Sequence, residues 1–175
     1  LDLEDVLSRN QRPKIDEYEN YLFIVLHFPI FDPSVGRLNA GELAITNDCV
    51  LRGSGTLANT GSLRKLSHGT TSLGLLLDDD GSIAIEGGII DAAGGDGGLG
   101  SDGVITIAER SRLRLRDGAT TLGATAAISG AGELELTTNA SLTVPAGATY
   151  DIATTYLTGG ALTLDGERSL PTLGI

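Results

Sequence analysis

The feature that most limits the fold of this chain is a short strand-like segment that recurs about every 20 residues. Each copy alternates apolar residues with small or charged ones, so an extended backbone places two apolar side chains on one face. No helical pattern lies between the copies. Three pairs of apolar residues show the spacing, which is 22, 21 and 20 residues in turn: Ile83 and Ile105, Leu113 and Leu134, Leu142 and Leu162.

A chain of this kind can bury its apolar residues by stacking. One coil has a narrow apolar stripe that it cannot remove from water alone, whereas stacked coils join their stripes into one core with strands about 4.8 Å apart. Glycine, present 25 times, supplies the positive φ that corners require. The sequence predicts a mostly β fold, a Gly-rich β-solenoid (parallel β-helix), over residues 47–175 in coils of roughly 20 to 22 residues. A β-sandwich is the alternative that the pattern leaves open.

Residues 1–46 differ from the rest, because they are rich in charged and aromatic residues. Apolar residues at positions 3, 6 and 7 predict a short amphipathic helix with its acidic residues near the N-terminus. The run YLFIVLHF at residues 21–28 predicts a strand buried on both faces. We therefore predict two domains: a helix and strand α/β segment at 1–46, which can cap the solenoid, and the solenoid at 47–175. The contrast in composition and the absence of Met, even at position 1, indicate a fragment or a chimera.

Three motifs follow one another in the first segment: LEDVL at residues 3–7, NQRPK at 10–14 and ENYLFIVL at 19–26. In order and spacing they resemble the N-terminal cytoplasmic domain of the CorA-type magnesium and cobalt transporters. The resemblance covers residues 1–45 and implies an α/β domain on the cytoplasmic side of the inner membrane, in the parent transporter oligomer. It implies a role in gating control rather than in conduction.

Ion conduction by this chain itself is not expected. The pore of the CorA family has a Gly-Met-Asn signature beside two membrane helices, and this chain has no Met. Its longest apolar run, residues 21–28, is far shorter than the about 20 residues of a membrane-spanning helix. We therefore expect no membrane span in this chain, although the resemblance associates it with metal-ion transport.

Glycine-rich stretches punctuate the second segment, at residues 53–57, 59–63, 80–85, 128–134 and 157–164. They resemble the β-helix stretches of large secreted, autotransporter-like bacterial surface proteins. That resemblance implies a stalk or passenger that presents or spaces other modules. The location it implies is extracellular or at the cell surface, in contrast to the cytoplasmic location that the first segment implies.

Charge and cysteine content argue against several function classes. The formal net charge of −11 disfavours nucleic acid and anionic membranes as partners, because like charges repel. Cys49, the one cysteine, can form neither an intrachain disulfide nor a zinc cluster, and we interpret it as small apolar filler in a strand. With His27 and His68 as the only histidines, the chain has no credible Ser/His/Asp arrangement. We expect no enzymatic activity.

One glycine-rich segment fits a calcium-binding repeat. Residues 97–105, GGLGSDGVI, match the nonapeptide G-G-x-G-x-D-x-U-x, in which each ion lies between successive turns and takes oxygen ligands from both. The nonapeptides on either side lack the pattern, so we favour a flexible glycine-rich corner and keep calcium binding as the alternative. The candidate calcium ligands are Asp91, Asp96 and Asp102, and no other cofactor is expected.

Two charged clusters each have a structural and a functional interpretation. We interpret the acidic run DDDG at residues 78–81 as a turn with solvated carboxylates rather than as a metal or acid–base site. Four arginines alternate with leucines and therefore share one outer face of a strand: Arg110, Arg112, Arg114 and Arg116. We expect them to pair with Glu109, Asp117 and, one coil away, Glu133 and Glu135. The alternative is a site for a polyanion or an acidic glycan.

Three function hypotheses follow. The first is a non-enzymatic structural or surface-display β-helix segment, fused to a CorA-like fragment. The second is a truncated cytoplasmic domain of a CorA-like magnesium and cobalt transporter. The third is a calcium- or carbohydrate-binding β-helix module. Since the ends of a solenoid expose unpaired backbone, we also expect self-association through those ends.

Overall fold

The fold is a parallel β-solenoid, seen in a computed structural model that describes residues 37–92, 99–167 and 170–175. These residues contain no helix, and their strands wind through about six turns. Every pairing between their named strands is parallel and joins one coil to the next. The β-solenoid prediction is confirmed and the sandwich alternative is wrong. The helix predicted at residues 3–7 and the strand predicted at 21–28 lie outside the described residues.

Fourteen strands are described. In chain order they are β1 (Arg37–Asn39), β2 (Glu42–Ile45), β3 (Val50–Asn59), β4 (Ser62–Lys65), β5 (Thr70–Asp79), β6 (Ser82–Ile85), β7 (Ile89–Ala92), β8 (Leu99–Ser101), β9 (Val104–Ile107), β10 (Arg112–Thr121), β11 (Ala127–Val144), β12 (Thr149–Thr158), β13 (Ala161–Leu164) and β14 (Leu173–Gly174). The pairing register shifts inside β3, β10 and β11, so each of these long strands turns a corner and contributes to more than one face.

Each coil passes through three faces in turn. Face A contains β2, β4, β6 and β9, followed by the first residues of β11 and β12. Face B contains the first parts of β3, β5 and β10 with β7, the middle of β11 and the end of β12. Face C contains β1 and β8, the second parts of β3, β5 and β10, the end of β11, and β13.

The apolar spacing seen in the sequence is the register of the stacked strands. Ile105 lies beside Ile83 on face A. Leu134 lies beside Leu113 on face B, and Leu162 lies beside Leu142 on face C. The spacing also varies along a single face, from 20 residues between Leu43 and Leu63 to 23 between Ile105 and Ile128, because successive coils differ in length.

The core is a column of inward-facing apolar side chains, nearly all of them aliphatic. One row on face A crosses all six coils, and its members are at most 9% exposed: Leu43, Leu63, Ile83, Ile105, Ile128 and Tyr150. Removing one such aliphatic side chain from water contributes about 1.5–3 kcal/mol. Because the row continues from coil to coil, each coil supplies the apolar surface that the next one covers.

The stack begins inside the segment that the sequence analysis assigned to residues 1–46. β1 pairs with β3, and β2 pairs with β4. The physical reason is a repeated corner, because Asn39, Gly41 and Leu43 recur as Asn, Gly and Leu 20 residues later, at 59, 61 and 63. Whether residues 1–36 form a separate domain stays a prediction.

Candidate functional site

The calcium candidates lie in different surroundings. Asp91 on β7 is 5% exposed. Its Oδ1 lies 2.7 Å from Arg116 Nε, in an ion pair without the alignment of a hydrogen bond, and its Oδ2 lies 3.8 Å from Arg114 Nη1. Asp102 is exposed at the corner before β9 and packs over Gly123, where a Cβ would overlap its carboxylate. Asp96 lies outside the described residues.

A metal site is therefore not assembled by the described side chains alone. Across residues 37–92, 99–167 and 170–175, no three His, Cys, Asp or Glu side chains are grouped so that they could hold an ion. Around Asp91 the two arginines already supply the positive charge that a cation would bring. Calcium binding through Asp91, Asp96 and Asp102 stays a prediction.

A buried polar column lies at the corner between faces C and A, and we call it the inner ladder: Asn39, Asn59 and Asp79. All three are at most 3% exposed. Asn39 Nδ2 donates to Asn59 Oδ1 at 2.7 Å, and Asn59 Nδ2 donates to Asp79 Oδ1 at 2.5 Å. The prediction of solvated carboxylates holds for the exposed Asp78 and Asp80 and is wrong for Asp79. The strand alternation turns Asp79 inward, where an amide from the previous coil binds it.

Glycines lie beside the inner ladder because the backbones of successive coils touch there. A Cβ on Gly61 would lie 2.1 Å from Gly41 O, and a Cβ on Gly81 would lie 2.2 Å from Gly61 O. Distances this short leave no room for any side chain. The glycine-rich corners predicted from the sequence thus follow from close backbone approach at this position.

A strip of alternating charge covers the outside of face B in the later coils, and we call it the outer strip: Asp91, Arg112, Arg114, Arg116, Glu133 and Glu135. Register places Glu133 beside Arg112 and Glu135 beside Arg114, as the sequence predicted. Arg112 Nε donates to Glu133 Oε2 at 2.7 Å, and Arg114 Nε donates to Glu135 Oε2 at 2.8 Å. Burial opposes ionisation of Glu135, but hydrogen bonds from Arg114 and Arg112 lower its pKa.

Arg110 and Asp117, two residues of the predicted charged cluster, do not belong to the outer strip. Arg110 does not belong to β10; it lies in the preceding turn with a φ of 64°, and its Nε is 3.8 Å from the exposed Glu109. Asp117 accepts a hydrogen bond from the backbone N–H of Gly118. The alternation therefore extends from Arg112 to Arg116 only. Tyr156 joins the strip from the next coil, with its ring centre 5.5 Å from Arg112 Cζ.

A second ion-pair cluster links the first three coils on face A. Arg64 Nη1 donates to Glu42 Oε1 at 2.9 Å, in the previous coil. Its Nε and Nη2 donate to Glu86 at 2.7 and 3.0 Å, in the next coil. The hydrogen bond from Arg64 lowers the pKa of Glu86. Sequence spacing did not reveal this cluster, because the register partners of Arg64 are Ala44 and Ala84, and both glutamates lie two residues away from that 20-residue register.

The corner between faces A and B holds a buried lysine that the sequence analysis missed. Lys65 is 0% exposed and lies in a row with Ile45 and Ile85. Its Nζ is 2.6 Å from Ser67 O, forms a hydrogen bond with Ser67 Oγ, and lies 3.7 Å from Asp48 Oδ1. Burial lowers the pKa of Lys65, while Asp48 opposes the shift. The sequence signal was a lysine at a position where neighbouring coils have isoleucine.

Cys49 lies beside this corner, just before β3. It is 4% exposed, with its Sγ 3.9 Å from Thr71 Oγ1, so it is buried as expected of a small filler residue, but it lies outside the strand in which it was predicted. Burial raises the pKa of its thiol, although the hydrogen bond with Thr71 opposes the shift. His68 is exposed in the turn between β4 and β5, and His27 lies outside the described residues.

The fold defines this chain as a β-solenoid protein. No protein-family model matches it, and no solved structure matches it significantly. Over 53 residues it is 43% identical to the cobalt/magnesium transport protein CorA of Thermotoga maritima. The match covers 29% of this chain and 15% of the transporter, so the chain spans only a small part of that relative's length. The CorA resemblance is confirmed for a short stretch of the chain.

The comparison with a transporter raises the question of membrane-spanning segments. Among residues 37–92, 99–167 and 170–175 there is no helix with the length and hydropathy to cross a bilayer.

Proposed function

We propose that this chain is a non-enzymatic structural module, a β-solenoid that spaces or displays other segments at the cell surface. The observation that carries the proposal is the uninterrupted parallel stack over about six turns. A stack of six strands at about 4.8 Å per step gives a rigid column roughly 25 Å long. The resemblance of its glycine-rich stretches to surface-protein β-helices supports the same function.

The distribution of charged side chains supports a spacer. Arg112, Arg114 and Arg64 each reach across coils to a glutamate, so these contacts tie neighbouring coils together. Each carboxylate in these contacts is opposed by a guanidinium, which leaves little local charge to attract a charged ligand. These cross-coil contacts therefore stabilise the stack along its length and make it rigid.

Deletion of one coil tests this function. Removing residues 62–81 joins Gly61 to Ser82, and these flanks are in register because Ser62 pairs with Ser82. Since coils contact only their neighbours, we expect the shortened chain to fold and to remain at the cell surface, shorter by about 4.8 Å. The matched control removes residues 62–71, half a coil, which places face A against face B and should prevent folding. Protease accessibility on intact cells measures whether the full-length chain is exposed at the surface. Recovery of that chain solely in the cytoplasmic fraction would contradict the proposal.

The second candidate function is that of a CorA-derived segment on the cytoplasmic side of the inner membrane, within a parent transporter oligomer. The 43% identity over 53 residues supports it. Sequencing one uninterrupted transcript that spans residues 1–52 is the first test, because β1 and β2 already pair with the solenoid strands and two separate transcripts would assign the two segments to different genes. If one transcript exists, fractionation distinguishes the candidates, because the CorA-derived function requires inner-membrane association and the display function requires surface exposure.

A further inference from the structure

We propose that residues 20–36 form one more coil on the N-terminal end of the stack, where Asn20 donates a hydrogen bond to Asn39 and extends the inner ladder. This inference goes beyond the spacer function and does not depend on it. Among the described strands, β1 pairs with β3 alone and β2 pairs with β4 alone, so each has an edge on its N-terminal side that no described strand covers. Residues 1–36 lie outside the described residues, but three features of the first described coil support this occupant.

The first feature is the direction of the inner ladder. Asn39 Nδ2 donates to Asn59 Oδ1, and Asn59 Nδ2 donates to Asp79 Oδ1, so each amide donates to the acceptor one coil later. No described residue donates to Asn39 Oδ1, which is buried. A buried acceptor without a donor destabilises a fold, because it has lost its water as well. The ladder therefore lacks one amide, in the coil that would come before Asn39.

The second feature is the glycine at the corner of the first described coil. Gly61, Gly81 and Gly103 occupy this corner in the next three coils. An added Cβ on each would lie 2.1, 2.2 and 2.3 Å from the carbonyl oxygen of the corner glycine one coil before. Glycine is therefore needed at this corner where a coil precedes it. Gly41 satisfies the same requirement, which indicates a preceding backbone.

The third feature is the difference in burial between the two ends of the stack. In the first described coil, Leu43 and Ile45 are 6% and 1% exposed. In the last coil, β13 also has a described neighbour on one side only, and its Leu162 and Leu164 are only partly buried. Apolar side chains at an uncovered end retain contact with water, so the burial of Leu43 and Ile45 indicates that the N-terminal side of their coil is covered.

The sequence before β1 has the length and the amide that such a coil requires. There are 36 residues before β1, and one coil takes 20 from Asn39 to Asn59. Asn20 lies 19 residues before Asn39, and its amide can donate to the free oxygen. A spacing of 20 residues would instead place Glu19 there, and an ionised carboxylate has no proton to donate. The need for a donor therefore selects Asn20.

The same register accounts for the apolar residues that follow. It places Ile24 beside Leu43 and Leu26 beside Ile45, so both continue inward-facing columns of the core. A slip of one residue would turn both outward. Leu22 falls at the glycine corner, where a side chain fits only if no further coil precedes. The proposed coil is therefore the outermost one and ends the stack.

A disulfide between the proposed coil and β2 tests this register in the full chain. Phe23 would lie beside Glu42 on the outer side of face A, at the about 4.8 Å that separates neighbouring strands, a distance that a disulfide can bridge. We expect Phe23→Cys with Glu42→Cys to lose both thiols to an intrachain disulfide in air. The background is Cys49→Ala, which removes the one other thiol. Leu22→Cys with Glu42→Cys is the matched control and should keep both thiols, because Leu22 would face inward.

A second measurement tests the hydrogen bond itself. Asn20→Ala should lower the ratio of folded to unfolded protein by about tenfold, because it leaves Asn39 Oδ1 buried without a donor. Most of that loss should disappear in an Asn39→Ala background, where the acceptor is absent. Asn10→Ala is the control, since it lies outside the proposed coil, and it should change the ratio little in either background. Urea unfolding followed by circular dichroism measures all of these ratios.

Three results would overturn the proposal. One is a folded Phe23→Cys, Glu42→Cys protein that keeps its thiols or forms the bond no faster than the Leu22→Cys control, as a separate N-terminal domain would. Another is a bond between two chains, seen as a dimer in nonreducing electrophoresis, since a second copy would then cover β2. The third is an equal loss of stability in Asn20→Ala and Asn10→Ala, or a loss in Asn20→Ala that is unchanged by Asn39→Ala.

Discussion

The inner ladder of the first three coils and the outer strip of the later coils lie on opposite sides of the sheet. In the first coils the inner ladder runs inside, with Asn59 0% exposed and bonded to the coils on both sides. In the last coils the outer strip lies on the surface, with Arg112 and Glu133 28% and 33% exposed. Both regions have the same parallel topology. A comparison of their stabilities therefore measures what burial of the polar contacts contributes, apart from the fold.

Burial decides how much each set contributes. A buried polar group left without its partner costs about 1–3 kcal/mol, because it has lost water as well. An exposed ion pair contributes about 0–1 kcal/mol, because solvent screens it and replaces either partner. We therefore expect the inner ladder to determine the register of the first coils, while the outer strip adds little stability to the last ones.

The largest expected effect is common to both regions and comes from the apolar column. Leu63 and Leu134 are both 0% exposed, and Leu→Ala at either position should lower the free energy of unfolding by about 2–5 kcal/mol. Leu162→Ala is the control, since this residue is only partly buried, and it should cost less. Urea unfolding followed by circular dichroism measures all three. A large loss at Leu134 alone would mean that the first coils are not part of one cooperative unit.

The corner glycines should show the next largest effect. Gly81→Ala places a Cβ 2.2 Å from Gly61 O and should cost about 1–3 kcal/mol, because backbone must move. Ala126 occupies the equivalent corner in a later coil, where Thr149 N donates to its carbonyl as Val104 N donates to Gly81 O. Ala126→Gly should cost about 1 kcal/mol or less, mainly through chain entropy. Equal losses at both corners would show that the close approach is unimportant.

Breaking the inner ladder should cost about 1–3 kcal/mol. Asn59→Ala removes the donor to Asp79 Oδ1 at 2.5 Å and the donor to Ser82 O at 3.1 Å. Asn139→Ala is the matched control, because Asn139 is exposed on a later coil, and it should change stability by less than about 0.5 kcal/mol. Similar melting midpoints for the two variants would remove the distinction between the inside and the outside of the sheet.

The outer strip should give a smaller effect. A double-mutant cycle between Arg112→Ala and Glu133→Ala measures the coupling of an ion pair whose side chains are 28% and 33% exposed, which we expect to be about 1 kcal/mol or less. The coupling should fall further in 1 M salt, where the screening length is about 3 Å. A coupling comparable to the loss in Asn59→Ala would mean that the strip contributes as much as the inner ladder.

The sequence was sufficient to predict the features that depend on strand alternation and repeat length. Spacing alone paired Ile83 with Ile105 and placed Glu133 and Glu135 beside the arginines, because a fixed coil length converts sequence separation into adjacency. At the corners the sequence was not sufficient to predict side-chain orientation, because a shift of one residue there decides whether a side chain faces the core or the solvent. Asp79 was therefore expected in solvent but is buried.

The Lys65 site was missed for a related reason. A charged residue in a strand is normally assigned to the outer face, and Lys65 follows Arg64, which does lie there. Only the neighbouring isoleucines at 45 and 85 mark position 65 as inward-facing. Once the register is known, Ser67 and Asp48 become its partners, since two corner segments from successive coils meet there.

The smallest expected effect is the change in melting temperature that calcium would cause by binding to the last coils. Arg116 and Arg114 lie 2.7 and 3.8 Å from the two Asp91 oxygens, so an ion at this carboxylate would have to displace a guanidinium. Asp102, which faces solvent, offers a single carboxylate, whereas calcium takes six to eight oxygen ligands. We expect the melting temperature to be the same in 5 mM calcium and in chelator, both for the native chain and for Asp102→Asn. A calcium-dependent rise that Asp102→Asn or Asp96→Asn abolishes would instead place an ion at the glycine-rich segment and make the later coils metal-stabilised, because a ligand that binds only the folded state raises its stability.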